Sequence, residues 1–133
     1  MRRKSRELAL QLLFQTEFAP EVRFQEIASV FEKNLDTSTI DYAKLLVSGV
    51  QTHKEKIDKK IQEASRHWKI ERMASVDRNL LRSAVFEIFY ASEPIEHKIV
   101  INESIEIAKV YGTEDSSAFI NGILDQIVRN ERV

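Results

Sequence analysis

Apolar residues recur at the three- and four-residue spacing of an α-helix along almost the whole chain, which leaves little room for another fold. Only three glycines and two prolines occur among the 133 residues, so turn signals are few. No segment alternates apolar and polar residues as a half-buried strand does. The sequence therefore predicts an all-α fold, a compact bundle of about seven helices with short connections.

The apolar spacing also predicts where the helices lie. We expect them over about residues 4–17, 22–33, 40–51, 52–65, 76–91, 98–111 and 117–130. The fifth, with the densest apolar pattern, is expected to be central and most buried. Between the fourth and fifth, Trp68, Ile70 and Met73 are expected to anchor in the core.

Short polar stretches predict the helix ends. The stretch DTST, from Asp36, offers side chains that cap the third helix, and Ser75 is expected to cap the fifth. The stretch TEDS, residues 113–116, is expected to cap the seventh. Gly112 suits the left-handed position after the sixth helix.

Composition narrows the class of protein. Hydrophobic residues make up 43% of the chain and charged residues 31%, as in a soluble globular protein, and the length predicts one domain over residues 1–133. No transmembrane span or secretory signal is recognisable. The chain has no cysteine, which excludes disulfides and thiol chemistry. We therefore expect a cytoplasmic protein.

The charge distribution is uneven although the net charge is only −1. Residues 1–14 and 53–72 are basic, and the rest of the chain is acidic. Arg2, Arg3, Lys4 and Arg6 crowd the start of the first helix, where the helix dipole disfavours cations. They form either a solvated tail or a patch that binds an anion outside the helix.

The sequence contains no strong catalytic or metal-binding motif. His53 and His67 would lie ~21 Å apart on one continuous helix, so they cannot share a metal. No Glu-x-x-His pair or phosphate-binding glycine loop occurs. Glu103 and Glu106 stand one turn apart, which is more typical of an exposed acidic helix face than of an acid–base pair. We expect neither an enzyme nor a bound cofactor or metal.

Several motifs carry a resemblance to a known family. The stretches VDRNLLR, VINESIEIAK, YGTEDS and FINGILD occur in one order and spacing, and RRKSRELALQLLFQTEF opens the chain. Together they resemble the NusB family of bacterial transcription antitermination factors over nearly the whole chain. Residues 20–65 match only in helical character.

The resemblance implies a fold and a function. Members of this family are all-α domains described as two three-helix bundles side by side. They bind boxA RNA of ribosomal RNA leader transcripts together with NusE, a small-subunit ribosomal protein. That complex joins NusA and NusG on RNA polymerase and suppresses termination. The resemblance thus implies a non-catalytic RNA-binding factor without membrane or small-molecule partners.

Two groups of residues match the RNA-binding positions of the family. The first is the basic group Arg2, Arg3, Lys4 and Arg6, since guanidinium groups pair with phosphate and stack on bases. The second, near the start of the last helix, comprises Asp115, Ser116, Phe119 and Asn121. Helix capping is the alternative for Asp115 and Ser116, core packing for Phe119, and structural hydrogen bonding for Asn121. Ser117 and Ala118 stand where many relatives have histidine and lysine.

The resemblance also points to a surface for the protein partner. Its residues are Phe14, Phe18, Asp77 and Leu80. Core packing is the alternative for Phe14, and helix N-terminal stabilisation is the alternative for Asp77.

Two other functions remain open at this point. One is a helical protein–protein adaptor that does not contact RNA. The other is a NusB-like RNA-binding module of a ribosomal RNA modification system, in which such a segment precedes a catalytic domain. We expect no such domain here, because the sequence ends at Val133.

Overall fold

The computed structural model describes residues 2–19 and 35–131, and these residues form an all-α structure, as predicted. Within these described ranges the six α-helices are α1 (Arg3–Phe18), α2 (Thr37–Thr52), α3 (Lys54–Ala64), α4 (Ser75–Val85), α5 (His97–Tyr111) and α6 (Ser116–Asn130). A 3₁₀ turn spans Ile70–Arg72, and α4 continues into a π-helical turn, Phe86–Tyr90. The helix expected over residues 22–33 lies outside the described residues.

Helix α4 is the centre of the molecule. It packs against each of the other five helices. Eight of its 11 residues are buried, including the polar Asn79 and Ser83 as well as Leu81. A helix that is buried around most of its circumference must lie inside a bundle. The prediction of a central fifth helix is therefore confirmed.

The other helices pack in pairs around α4. Helix α1 lies mainly along α2, and α5 lies mainly along α6. Helix α3 packs against α6 and also against α4. Within the described residues, none of the helices is long and apolar enough to cross a membrane.

The predicted helix ends are only partly right. Asp36 caps α2 as expected, since its carboxylate accepts the Thr39 N–H at 2.8 Å. Ser75 does not cap α4, because it is already helical and its hydroxyl donates to Glu17. Asp115 makes no side-chain cap of α6.

Gly112 is extended, not left-handed, with φ −96° and ψ −169°. A Cβ there would lie 2.5 Å from Oγ of Ser116, whose hydroxyl accepts the Thr113 N–H at 2.9 Å. The glycine therefore provides room for a tight turn between α5 and α6, which explains its place in the sequence without a positive φ.

The prediction of three core anchors before α4 is right for Ile70 and Met73, which are buried, and wrong for Trp68. The Trp68 side chain is 59% exposed. Its backbone is tied to Gln62 and Ser65, and this geometry turns the indole away from the core. A helical apolar pattern gives no information on side-chain direction in such a non-helical segment.

A polar network holds the end of α1 to the central helix. Glu17 accepts hydrogen bonds from Arg78 at 2.7 Å and from Arg82 at 3.1 Å, and Arg82 also pairs with Asp58 of α3 at 2.8 Å. Partial burial raises the pKa of Glu17, but the hydrogen bonds from Arg78 and Ser75 outweigh this effect and lower it to about 2. The two arginines of the VDRNLLR stretch thus connect three helices.

Gly49 allows α2 to pack closely on the π-helical turn. A Cβ at this position would lie 2.2 Å from the ring of Phe86, which is itself buried. No L-residue with a side chain fits unless the ring or the helix moves.

We expect Gly49→Ala to destabilise the protein by about 1–3 kcal/mol, although alanine is the better helix former, because the added methyl overpacks the Phe86 contact. Gly122→Ala is the matched control, since a Cβ at this helical site meets nothing within 4 Å. It is expected to stabilise the protein by about 0.5–1 kcal/mol. Urea unfolding measures both, and equal effects of the two substitutions would contradict this account of Gly49.

Candidate nucleic-acid interface

Arg6, one of the four cations at the start of the chain, points into the protein. Its side chain is 7% exposed. Its Nε and Nη2 donate to the two carboxylate oxygens of Glu87 at 2.8 and 2.9 Å. Glu87 is 1% exposed and also accepts the Tyr42 hydroxyl at 2.6 Å. The buried charge of Glu87 is therefore paired with one cation and further stabilised by a hydroxyl donor.

The pKa values of this cluster follow from its contacts. Burial works to lower the pKa of Arg6, but the hydrogen bonds and charge of Glu87 outweigh burial and raise it. Burial, and then the hydrogen bond to Glu87, raise the pKa of Tyr42 to about 12. Arg6 thus stays charged and Tyr42 stays protonated over the whole physiological pH range.

Glu103 of α5 joins this cluster to a second arginine. Arg3 donates to it at 2.5 and 3.2 Å, and Arg6 approaches it at 3.4 Å. The hydrogen bond from Arg3 holds the pKa of Glu103 below its ordinary value. The side chain of Arg3 remains 40% exposed, so it lies at the outer edge of the cluster.

Arg2 and Lys4 complete the outward side of this segment. The guanidinium carbon of Arg2 lies 3.7 Å from the centroid of the Tyr42 ring, in a cation–π contact. Lys4 is exposed. The expectation that all four cations reach outward is therefore corrected: Arg2, Arg3 and Lys4 face solvent, whereas Arg6 is turned inward because Glu87 requires a buried partner.

The second predicted RNA-binding group lies around the start of α6. Asp115 and Asn121 are exposed, and Phe119 is half-buried. Ser116 is 1% exposed and its hydroxyl bonds to Thr113, so its side chain does not face solvent. The ring of Phe119 meets Trp68 edge to face at a centroid distance of 6.1 Å.

Residues in the first turns of α1 and α6 both contact α5. Arg3 donates to Glu103 of α5, and Ser117 of α6 donates to the carbonyl of Ile105 at 3.5 Å. Those two α5 residues are ~3 Å apart along the helix axis. The starts of α1 and α6 therefore both approach the same part of α5.

The predicted partner residues divide between the surface and the core. Phe18 is 72% exposed, and its ring lies 4.7 Å from that of half-buried Phe14. Phe14 also lines an open, mainly apolar groove of about 390 Å³. The other residues of this groove are Leu10, Gln11, Gln15, Val76 and Tyr111.

Asp77 and Leu80 are less accessible than expected. Leu80 is 3% exposed and belongs to the core, so its side chain does not present itself to a partner. Asp77 is 9% exposed, and its Oδ1 is buried without a hydrogen-bond partner among the described residues. It lies in the first turn of α4, next to Val76 of the groove.

Sequence reasoning missed the residues that organise the basic segment. Glu87, Tyr42 and Glu103 come from three other helical segments, and no local motif marks them as partners of the arginines. Glu87 stands in an otherwise apolar stretch, AVFEIFY, and this is the one signal of its role that the sequence offers. Among the described residues, no group of three or more histidine or carboxylate side chains is placed to hold a metal.

Comparison with known proteins identifies the family of the chain. The model of the NusB family matches residues 3–129. The chain belongs to the NusB family. The transcription antitermination protein NusB of Bdellovibrio bacteriovorus is 59% identical over 126 residues, which cover 95% of this chain and 93% of that protein.

Solved NusB structures share the fold. NusB of T. maritima superposes with a TM-score of 0.87 at 35% identity, covering 97% of this chain and 91% of that one. A crystal structure of the antitermination factors NusB and NusE in complex with dsRNA gives a TM-score of 0.81 at 29% identity, with 97% and 96% covered.

We expect Arg6→Gln to cost about 3–5 kcal/mol of unfolding free energy, because it leaves the buried Glu87 carboxylate without its cation. Arg3→Gln removes a cation of the same type from the solvent-facing edge and is expected to cost much less, because solvent screens the pair with Glu103. Chemical denaturation of the two variants measures both losses of unfolding free energy. Equal losses in the two variants would contradict the inward assignment of Arg6.

Proposed function

We propose that this chain is a transcription antitermination factor that binds boxA RNA of ribosomal RNA leader transcripts together with NusE and joins NusA and NusG on RNA polymerase. The proposal rests on membership of the NusB family and on the outward cation cluster of Arg2, Arg3 and Lys4. We further propose that residues 1–133 act as one RNA-binding domain in the cytoplasm, without catalysis.

The observation that carries the proposal is the way in which this cluster is held. The Tyr42 ring supports the guanidinium of Arg2, and Glu103 positions Arg3, while Lys4 is exposed. The N–H groups of Arg2 and Arg3 are thus presented in a defined arrangement, and less side-chain entropy is lost when phosphate binds. Phosphate contacts of this kind supply affinity and fix the position of the strand.

Base recognition requires the second group. Phe119 offers part of a ring for base stacking. The exposed carboxylate of Asp115 can accept from an exocyclic amine, and the exposed amide of Asn121 can both donate and accept. The buried Ser116 contributes indirectly, because its hydroxyl accepts the Thr113 N–H and so shapes the turn before α6.

We assign the NusE surface to the end of α1 and the adjoining groove. Phe18 and Phe14 give a paired aromatic feature, which is the type of anchor that dominates protein interfaces. Asp77 borders this groove through its neighbour Val76. Its Oδ1 is buried and has no hydrogen-bond partner among the described residues, so a contact with NusE requires this carboxylate to turn outward. Leu80 supports the surface from the core.

We expect the triple variant Arg2→Gln, Arg3→Gln, Lys4→Gln to bind single-stranded boxA RNA more weakly and with a shallower dependence on salt. Each cation that no longer meets a phosphate lowers the slope of log K against log salt by ~0.7. A gel-shift titration at several salt concentrations, with a scrambled RNA and a duplex in parallel, measures this. Lys56→Gln is the charge control, since Lys56 is an exposed α3 lysine. RNA binding unchanged in the triple variant would refute the assignment of the cluster.

We expect Phe18→Ala to weaken NusE binding about tenfold, which is typical for truncation of an interface aromatic, and to leave RNA binding in the absence of NusE unchanged. Titration calorimetry with NusE tests this. Ile99→Ala, at an exposed aliphatic residue on α5, serves as the control. If both variants bind NusE as the parent does, the partner surface lies elsewhere.

A further inference from the structure

The loop between α3 and the 3₁₀ turn carries a surface that the residues discussed so far do not use. Arg66, His67, Trp68 and Lys69 follow one another, and all four are exposed. They belong to the second basic segment of the sequence, residues 53–72. No acidic residue lies among the four, so the loop exposes the Trp68 ring between the cations Arg66 and Lys69.

Hydrogen bonds order the backbone that carries the exposed indole. The Trp68 N–H donates to the Ser65 carbonyl at 2.9 Å, and the Trp68 carbonyl accepts from Nε2 of Gln62 at 2.9 Å. The same Gln62 accepts the Ile70 N–H through its Oε1 at 3.0 Å, so one side chain clamps both sides of the loop. The hydroxyl of Ser65, which is buried, donates to the Ile61 carbonyl at 2.8 Å and lies 3.2 Å from the Trp68 carbonyl.

This arrangement is unusual for a side chain that contributes only to stability. Full burial of an indole stabilises a fold strongly, yet Trp68 leaves more than half of its surface in water. An exposed aromatic ring flanked by cations is the combination that binds single-stranded nucleic acid: the ring stacks on a base and the cations contact the neighbouring phosphates.

The loop adjoins the proposed RNA surface. Trp68 meets Phe119 of α6 at a centroid distance of 6.1 Å with an angle of 88° between the ring planes. Because the rings are perpendicular, bases stacked on the two rings would be splayed apart, as in the recognition of unstacked single strands. The first turn of α6 itself, with Ser117 and Ala118, carries no cation.

We propose that Trp68, with Arg66 and Lys69, forms a second stacking subsite for single-stranded RNA, which extends the RNA path from Phe119 onto the α3 side of the molecule. This inference rests on the proposed RNA-binding function. In this subsite, Arg66 and Lys69 supply the positive charge that the start of α6 lacks. Stacking on a base explains why Trp68 is exposed.

Trp68 is the only tryptophan of the chain, so its own fluorescence reports on the subsite. Titration of the intact protein with unlabelled single-stranded boxA RNA is expected to quench this fluorescence at the same concentrations at which a gel shift shows binding. Quenching that saturates with binding supports stacking on the indole. RNA binding without any change in fluorescence overturns the proposal.

Substitution tests the energetic contribution. Trp68→Ala is expected to weaken RNA binding at least fivefold, and Trp68→Phe, which keeps a stacking ring, to stay within about threefold of the parent. Ile99→Ala is the control, because it truncates another exposed apolar side chain, on neither proposed surface, and is expected to leave RNA binding intact. The double variant Arg66→Gln, Lys69→Gln is expected to flatten the salt dependence, and Lys56→Gln is not.

The outcomes separate this inference from the proposed function. If the parent binds no RNA, both fail. If the parent binds RNA, the triple variant of Arg2, Arg3 and Lys4 loses affinity, and Trp68→Ala binds as the parent does, only the subsite is refuted. If Trp68→Ala retains RNA binding but loses NusE, the loop is a protein contact and the subsite is again refuted.

Discussion

The buried ion pair between Arg6 and Glu87 joins the first helix to the π-helical turn at the end of the central helix. Side chains from two further helices complete the hydrogen bonds of this pair. Neither charge could stay ionised in the core alone, because desolvation costs several kcal/mol per ion. The Tyr42 hydroxyl from α2 and Glu103 from α5 supply the remaining contacts. Three helices and the π-helical turn therefore meet at one polar centre within the bundle.

The same polar centre also orients the exposed cations at the start of α1. Tyr42, whose hydroxyl bonds to Glu87, supports Arg2 with its ring, and Glu103, which approaches Arg6, positions Arg3. The same residues that neutralise the buried charge thus orient the outward cations. The basic start of α1 is unfavourable for an isolated helix, since cations there oppose the helix dipole. In the folded protein, two of the four cations have acidic partners and a third lies on an aromatic ring.

Much of the fold can be predicted from the sequence because helical periodicity is a local property. Asp36 as a cap, Ile70 and Met73 in the core, and the central position of the helix around Leu81 all follow from residue type and spacing. The predictions for Ser75, Gly112 and Trp68 are wrong. Each lies outside a regular helix interior, where side-chain direction and φ depend on hydrogen bonds that the sequence pattern does not encode.

The candidate site is less predictable. The family resemblance predicts which residues form the two candidate RNA-binding groups, but it does not separate Arg6 from Arg2 and Arg3, or Leu80 from Phe18. Spacing alone places Arg2, Arg3 and Arg6 on one helical face. A helical face at the edge of a bundle spans both the interior and the surface, and the neighbouring helices decide which residue is covered.

The sequence by itself determined the helices, their apolar faces and the family, because these depend on contacts within a few residues and on motifs that can be read along the chain. Only the tertiary structure decided which cation is buried, which aromatic ring is exposed and which residues form one surface. The partners that decide the position of Arg6 lie 81 and 97 residues away along the chain. Contacts over such separations arise from helix packing, and no local pattern records them.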